Sequence, residues 1–508
     1  MPSAADALPA LSVRLYKTIG RRTIDGDWAV STRYSGKNEF IDLTPMLHDG
    51  SVVRTSKSVR EPAGGFTISF ADRPDTAWSD GTLESVYGLV EPMDVVEIRM
   101  WGGLGVRPST LPIVMRGFVS SVNRSRVMGE DGRPQRSVTI SGQDYGKIWQ
   151  TYQLLYMPPF APGVSFLTNF KLWELLGLSA ENTLSAPEFV KSFVDKVINP
   201  HLAGLIPDGS RLPTQITLGD GIAVKHGVVN NNYQNAQGSA YQIMSTYGDV
   251  GIWNELYTED REDGVHCVYR PIPAFLLSVM AGRDSAKIQD DAPTPPVVLI
   301  KDHMIKSINE GRSDANVANF FWVNNSKFDL IDDIVRKQFG LAADNGTVSQ
   351  AEYPNSAVKY YGVRPMYAET QQGEDSIKNM ASNLPAAPHE ARSVLQMSWI
   401  DNRRRIMAEM NKDNVVYERG QAVVKGGPTR LGTQGELIKA GDYAAFVEGT
   451  VLHMAYAYQV DHEFLPFRSY TTTLQFDRGE GFAVRASMEG SPWLSEQARR
   501  GNDGLFLE

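Results

Sequence analysis

The sequence predicts an α+β protein, mainly β, in which two similar small β-barrels are separated by helix-rich insertions. Three observations predict it. Short alternating strands punctuated by Gly and Pro fill residues 10–145, the pattern of a small barrel or sandwich. The hydrophobic period changes to that of helices after residue 145 and returns to that of strands near residue 415. The two β-rich stretches also resemble each other. Each has a Gly-rich approach ("GLVEPMDVVEI", "GELIKAGDYAAF"), then a strand, a loop and a closing alternating strand ("SVTISGQD", "TTTLQFDRG").

In the first barrel, residues 10–145, "FTISFAD" sets Phe66, Ile68 and Phe70 on one face, and "PMDVVEIRMW" sets Val96, Ile98 and Met100 opposite Glu97 and Arg99. "PIVMRGFVSSVNRSR" and "RSVTISGQD" read as a hairpin about "GEDGRP". Residues 146–296 read as a helix-rich domain with a β-hairpin. A short helix starts in "GQDYGKIWQTY" and another in "GSAYQIMSTYGD". Between them, "SAPEFVKSFVDKVINP" has a capping box of Ser185 and Glu188, Pro187 in its first turn, and an apolar stripe from Phe189 to Ile198. Pro200 is expected to end that helix. "GIWNELYTEDREDGVHCVYRPIP" is the hairpin, with "EDRED" at its turn and its acids expected on solvated faces; "QDDAPTPP" is a linker.

Residues 297–325 read as strand, turn and strand, and the chain returns to strands over residues 413–480. The helical insertion at 326–412 holds "FDLIDDIVRKQFG" and a longer helix with Ala391, Leu395, Trp399, Ile406 and Met410 near one stripe; the three arginines of "DNRRRIMAEM" are expected on its solvated face. In "YTTTLQFDRGEGF", Tyr470, Thr472, Leu474 and Phe476 share a face, and Leu474 and Phe476 are assigned to the barrel core. Residues 481–508 have no clear period and read as a C-terminal arm. A short tail cannot bury Trp493, Leu494, Leu505 and Phe506 in a core of its own, so these are assigned as anchors on a neighbouring subunit or another protein.

A net charge of −9 argues against a nucleic-acid-binding surface, which needs clustered Lys and Arg. Cys267 is the sole cysteine, so no intrachain disulfide and no cysteine-based metal cluster can form. The N-terminus lacks the pattern of a signal peptide, and no apolar run approaches the ~20 residues that span a bilayer; cytoplasmic synthesis without membrane insertion is expected. There is no P-loop, no G-x-S-x-G elbow and no H-E-x-x-H. In "DHEF" the strand period turns His462 away from Asp461 and Glu463, and all three read as solvated residues at a hairpin tip. No catalytic, cofactor-binding or metal-binding residue is assigned, and no enzyme activity or cofactor is expected.

The order "RPMYAET", "HEARSVLQMSWIDNRRRIMAEM", "GQAVVKGGPTRLGTQGELI", "AYAYQVDHEF", "SYTTTLQFDRG" resembles baseplate hub proteins of contractile-tailed bacteriophages, a family that includes the hub half of type VI secretion spike proteins. "VVEIRMWGG", "MRGFVSSVNRS" and "SVTISGQDYGKIW" agree, and "HMIKSINEGRSDANVANFFWV" fits the strand pair opening the second barrel of such hubs, so the resemblance implies a discontinuous second barrel of residues 297–325 and 413–480. The resemblance covers most of residues 10–480. No OB-like barrel or β-helix repeat is expected after residue 480, and no lysozyme domain. A phage tail hub-like fold implies a virion structural protein of the tail baseplate, made and assembled in the bacterial host cytoplasm. It implies a homotrimeric ring with partners in the tail tube protein, the central spike protein, the tape measure protein and other baseplate proteins. Six similar barrels would match the sixfold tube, the other end would meet a threefold spike, and DNA would pass through a channel without specific binding. A muralytic or proteolytic tail enzyme and a receptor-binding tail protein are the competing functions, and a non-contractile tail is the competing setting.

Overall fold

The computed structural model of the chain describes residues 9–18, 40–71, 86–102, 108–128, 134–154, 184–206, 210–229, 238–273, 289, 291–325, 355, 358–376, 389–411, 414–415, 418–433, 435–448 and 451–479. The turn "GEDGRP", the helix expected in "FDLIDDIVRKQFG" and the C-terminal arm with Trp493, Leu494, Leu505 and Phe506 lie wholly or mostly outside the described residues.

The protein is mainly β. Strands β1 (Ala10–Tyr16), β2 (Val52–Ser58), β3 (Gly65–Ala71), β4 (Val95–Trp101), β5 (Ile113–Met128) and β6 (Pro134–Asp144) pair in the order β1–β4–β5–β6–β3–β2. Period-2 alternation puts Phe66, Ile68, Phe70, Ile98, Met100 and Ile140 into one apolar core. Helices α1 (Gly146–Thr151), α2 (Ala186–Phe193), α3 (Asn199–Leu205) and α4 (Ala240–Tyr247) follow and bury Trp149, Phe189, Phe193 and Met244 together. Glu188 Oε2 accepts from the Ser185 backbone N at 3.0 Å and from its Oγ at 2.7 Å at the start of α2. Pro200 does not end this run. Residues Val194–Ile198 widen into a π turn, and the helix resumes with Pro200 in its first turn, where a missing N–H costs nothing.

The hairpin of β7 (Asn254–Arg261) and β8 (Gly264–Pro271) comes next, with only Glu262 and Asp263 at its turn. Then β9 (Val297–Lys301) and β10 (Ile305–Gly311) lead to β11 (Phe320–Asn324), β12 (Pro365–Glu369) and the 23-residue helix α5 (His389–Asn411). The sequence places Phe320–Asn324 in the second barrel, but β11 pairs in parallel with β12, and its Phe321 packs with Met407 and Met410 of α5. The 3-10 turn Asp314–Asn316, capped by Ser313, redirects the chain out of the sheet. Arg403 of α5 is also not solvated: it is 4% exposed, with its guanidinium 4.1 Å from the Trp399 ring centroid.

The last strands are β13 (Glu418–Lys425), β14 (Asp442–Glu448), β15 (Val451–Leu465) and β16 (Ser469–Gly479), and with β9 and β10 they pair as β9–β14–β15–β16–β13–β10. This is the strand order of residues 10–144 again. Leu474 and Phe476, both fully buried, sit with Ile300, Phe446 and Tyr456 in its core. The long strand of each half carries one extra residue at the same place: Ser120 in β5 falls between the pairs Val119↔Gly142 and Ser121↔Ser141, and Tyr458 in β15 between Ala457↔Phe476 and Gln459↔Gln475. The halves differ at one strand, since β1 runs antiparallel to β4 whereas β9 runs parallel to β14.

Among the described residues neither half closes on itself by a hydrogen-bonded ladder, and the sheet they share curls as one large half-barrel. They are joined through β15, which is long enough to serve both. Residues 451–457 pair with β14, and residues 459–464 pair with β2 of the first half. The halves also meet at Gly102 and Gly427, where a Cβ on Gly102 would lie 2.5 Å from the Gly427 backbone N.

Candidate functional site

The strand period that buries one face of the joined sheet leaves the other polar. At the junction of the halves that face forms an open groove of about 820 Å³, lined among others by Ser56, Thr67, Ser141, Asp461, Thr471 and Thr473. Hydroxyls meet across the strands: Ser69 Oγ lies 3.2 Å from Thr139 Oγ1, and Ser121 Oγ 2.7 Å from Ser141 Oγ. Arg54 is the groove's one guanidinium, and its Nε donates to Glu463 Oε2 at 2.6 Å, with Asp461 two residues away. The Arg54 charge is thus offset within the groove.

Asp461, His462 and Glu463 separate across the sheet. Asp461 and Glu463 line the groove, whereas His462 is 5% exposed, with Nδ1 3.0 Å from both Thr472 Oγ1 and Tyr470 Oη. His462 is therefore not at a solvated tip: β15 continues to Leu465, and β2 pairs alongside it. Burial pushes its imidazole down to about 4. No group of three His, Cys, Asp or Glu is placed to hold a metal ion among the described residues. Burial pushes the Cys267 thiol up to about 12, far from a reactive thiolate.

Under the opposite face, hairpin β7–β8 clamps the two halves by charge. Glu97 takes Arg99 Nε at 2.6 Å and Arg116 Nε at 3.0 Å, and Arg116 Nη1 donates to the Arg261 carbonyl at 2.7 Å. Burial alone would raise the Glu97 carboxyl, but Arg99 and Arg116 hold it below its usual range. From the second half, Lys439 Nζ donates to the Asp260 carbonyl at 2.7 Å and to Glu259 Oε1 at 3.2 Å. Burial opposes ionisation of Glu259, yet Lys439, Arg430 and Arg261 bring it down to about 2. Asp260 lies next to it; burial pushes it up to about 7, and Arg116 and Lys57 offset that only in part. Glu259 and Asp260 of "YTEDRED" are thus part of a joint rather than a solvated face, while Glu262 and Asp263 are exposed at the turn as expected. The available signal was Glu97 and Arg99 in an otherwise apolar strand, a pattern that calls for partners on both faces.

No family model matches the chain, and no curated protein sequence does. Solved structures do match in fold. These are tail and baseplate proteins and type VI secretion components. A tail protein from Neisseria meningitidis is 10% identical over 96% of this chain and 98% of its own, with a TM-score of 0.45. A 43 kDa prophage tail protein from Shewanella oneidensis is 10% identical over 92% of this chain and 96% of its own, with a TM-score of 0.43. A type VI secretion component from E. coli is 6% identical over 84% of this chain and 72% of its own, with a TM-score of 0.35.

Proposed function

We propose that this chain is the structural hub of a bacteriophage tail baseplate, working as a homotrimeric ring rather than as an enzyme. The observation that carries the reading is the six-stranded unit repeated within one chain, with the same strand order and the same bulge, joined edge to edge. Two similar modules per chain and three chains give six similar surfaces about one axis. Such a ring meets a sixfold tail tube on one side and keeps threefold symmetry for a central spike on the other. The hydroxyl-lined face, with Arg54 offset by Glu463 and Asp461, suits the wall of the channel for DNA ejection. A cationic wall would hold the polyanion by counterion release, and this one lacks the excess of cations to do so.

The same reading gives the tail tube protein, the spike, the tape measure protein and other baseplate proteins as partners, and the tail baseplate of the virion, assembled in the bacterial host cytoplasm, as the location. The arm at 481–508, with Trp493, Leu494, Leu505 and Phe506, serves as a tether to a neighbour; a chain lacking residues 483–508 folds but assembles poorly. Light scattering at micromolar concentration tests the reading. The expected mass is three times the 56.2 kDa of one chain. A monomer, or a wall-degrading activity in a zymogram that one substitution abolishes, overturns it.

A further inference from the structure

The pairing that joins the halves inside one chain has a counterpart that the chain alone leaves unmade. In the intact joint, the edge strand of the first half, β2, adds to the distal part of the long strand of the second half, β15. The repeat makes β10 the equivalent of β2, and residues 121–127 of β5 the equivalent of residues 459–465 of β15. Among the described residues β10 pairs only with β13, and β5 beyond Phe118 pairs only with β6. The surroundings differ as a missing partner requires. Val53 of β2 is fully buried, while its equivalent Ile308 of β10 is half-buried. At the far end of β5, Val127 is 60% and Met128 69% exposed. An open strand edge beside exposed apolar side chains is a template for another strand.

We infer that the outer edge of β10 pairs antiparallel with residues 121–127 of β5 in the next copy of the chain, in the register that β2 and β15 use within one copy. This rests on the ring reading above and specifies its interface. Aligning the two bulges carries Glu463↔Arg54 onto Ser125↔Asn309, and Phe464↔Val53 onto Arg126↔Ile308. It also sets Arg124 across from Glu310, an opposite-charge pair of the kind that supports cross-strand contacts. The contact is head to tail, since β10 and β5 are different surfaces, and a head-to-tail contact must close into a ring or run on as a filament.

The test is the double variant Ser125→Cys, Asn309→Cys, both at exposed positions. The equivalent side chains, Glu463 and Arg54, touch at 2.6 Å, and directly opposed residues lie about 5 Å apart, within disulfide reach. Cys267 is buried and does not compete. Oxidation at micromolar concentration should give a covalent trimer on a non-reducing denaturing gel, and each single variant should stay monomeric. The out-of-face pair Ser125→Cys, Glu310→Cys should cross-link several-fold less. A trimer by light scattering that does not cross-link overturns this pairing and leaves the ring standing. A monomer by light scattering overturns both, and a cross-link confined to one chain overturns the pairing.

Discussion

Asp94 and Asp442 hold the same position in the two halves of the sheet. Asp94 Oδ2 accepts from the Glu91 backbone N at 2.8 Å, and Asp442 Oδ2 accepts from the Lys439 backbone N at 2.8 Å. Each closes a turn whose preceding residue has positive φ, 75° at Met93 and 95° at Gly441. Each is buried and meets a cation: Lys17 Nζ lies 2.6 Å from Asp94, and Arg430 grips Asp442 through two contacts of 2.8 Å. The turn aims the chain into β4 in one half and β14 in the other, so an ion pair precedes the second strand in the order of each half.

Removing Asp442 leaves the Arg430 guanidinium nearly buried beside Glu259 and Glu436 alone. Breaking a buried pair by deleting one partner costs roughly 3–5 kcal/mol. Asp442→Ala should lower unfolding stability by that order in chemical denaturation, and Asp94→Ala by a smaller amount, because Lys17 retains Glu91 at 3.1 Å.

Leu474 is fully buried between Ala422 and Val460, its partners on the neighbouring strands. Leu474→Asp places an unpaired carboxylate there, at a cost of several kcal/mol. The expected outcome is a large drop in thermal midpoint and loss of the oligomer together, whereas Thr473→Asn, on the polar face, should leave the midpoint nearly unchanged.

His462 should make the fold acid-sensitive. Its folded value of about 4 lies below the ordinary 6.5, so between these pH values the unfolded chain takes up a proton that the folded chain refuses. Stability contributed by the neutral ring is complete above 6.5 and is lost as pH falls toward 4, by up to about 1.4 kcal/mol per pH unit. Urea denaturation from pH 7 to pH 5 should show a steeper loss in the native protein than in His462→Asn. Equal slopes would contradict the account.

Asp260 acts with the opposite sign. Its folded value of about 7 lies above the ordinary 3.8, so the folded chain keeps a proton that the unfolded chain releases, and stability falls as pH rises through that window. Its Oδ1 is buried with no hydrogen-bond partner among the described residues. Asp260→Asn keeps the shape and removes the titration, so it should be more stable than the native protein at pH 8 and nearly equal at pH 4. Denaturation at the two pH values checks this.

The strands and the repeat were legible because period-2 alternation and the paired approaches "EPMD" and "KAGD" are local. Those approaches are now seen as the Asp94 and Asp442 turns. The join between the halves was not legible. It depends on β15 continuing past its bulge to pair with a strand some 400 residues earlier, and nothing near "AYAYQVDHEF" encodes that partner. His462 and Arg403 were misplaced for the same reason: each sits in a polar run, and its burial is created by residues distant in sequence, β2 over one and Trp253 beside the other. The acids of the β7–β8 hairpin escaped notice because Arg116, Arg430 and Lys439 come from both halves and meet only in the folded sheet.

In the proposed assembly, three copies of this chain form a ring of six similar six-stranded units around an open channel. A three-dimensional reconstruction of the purified protein, detailed enough to trace strands, tests it most directly. The expected map has threefold symmetry, with six alternating six-stranded units and the face bearing Thr471 and Thr473 turned toward the lumen. A single copy, a twofold pair, or a ring whose lumen is lined by any other face of the sheet would contradict it.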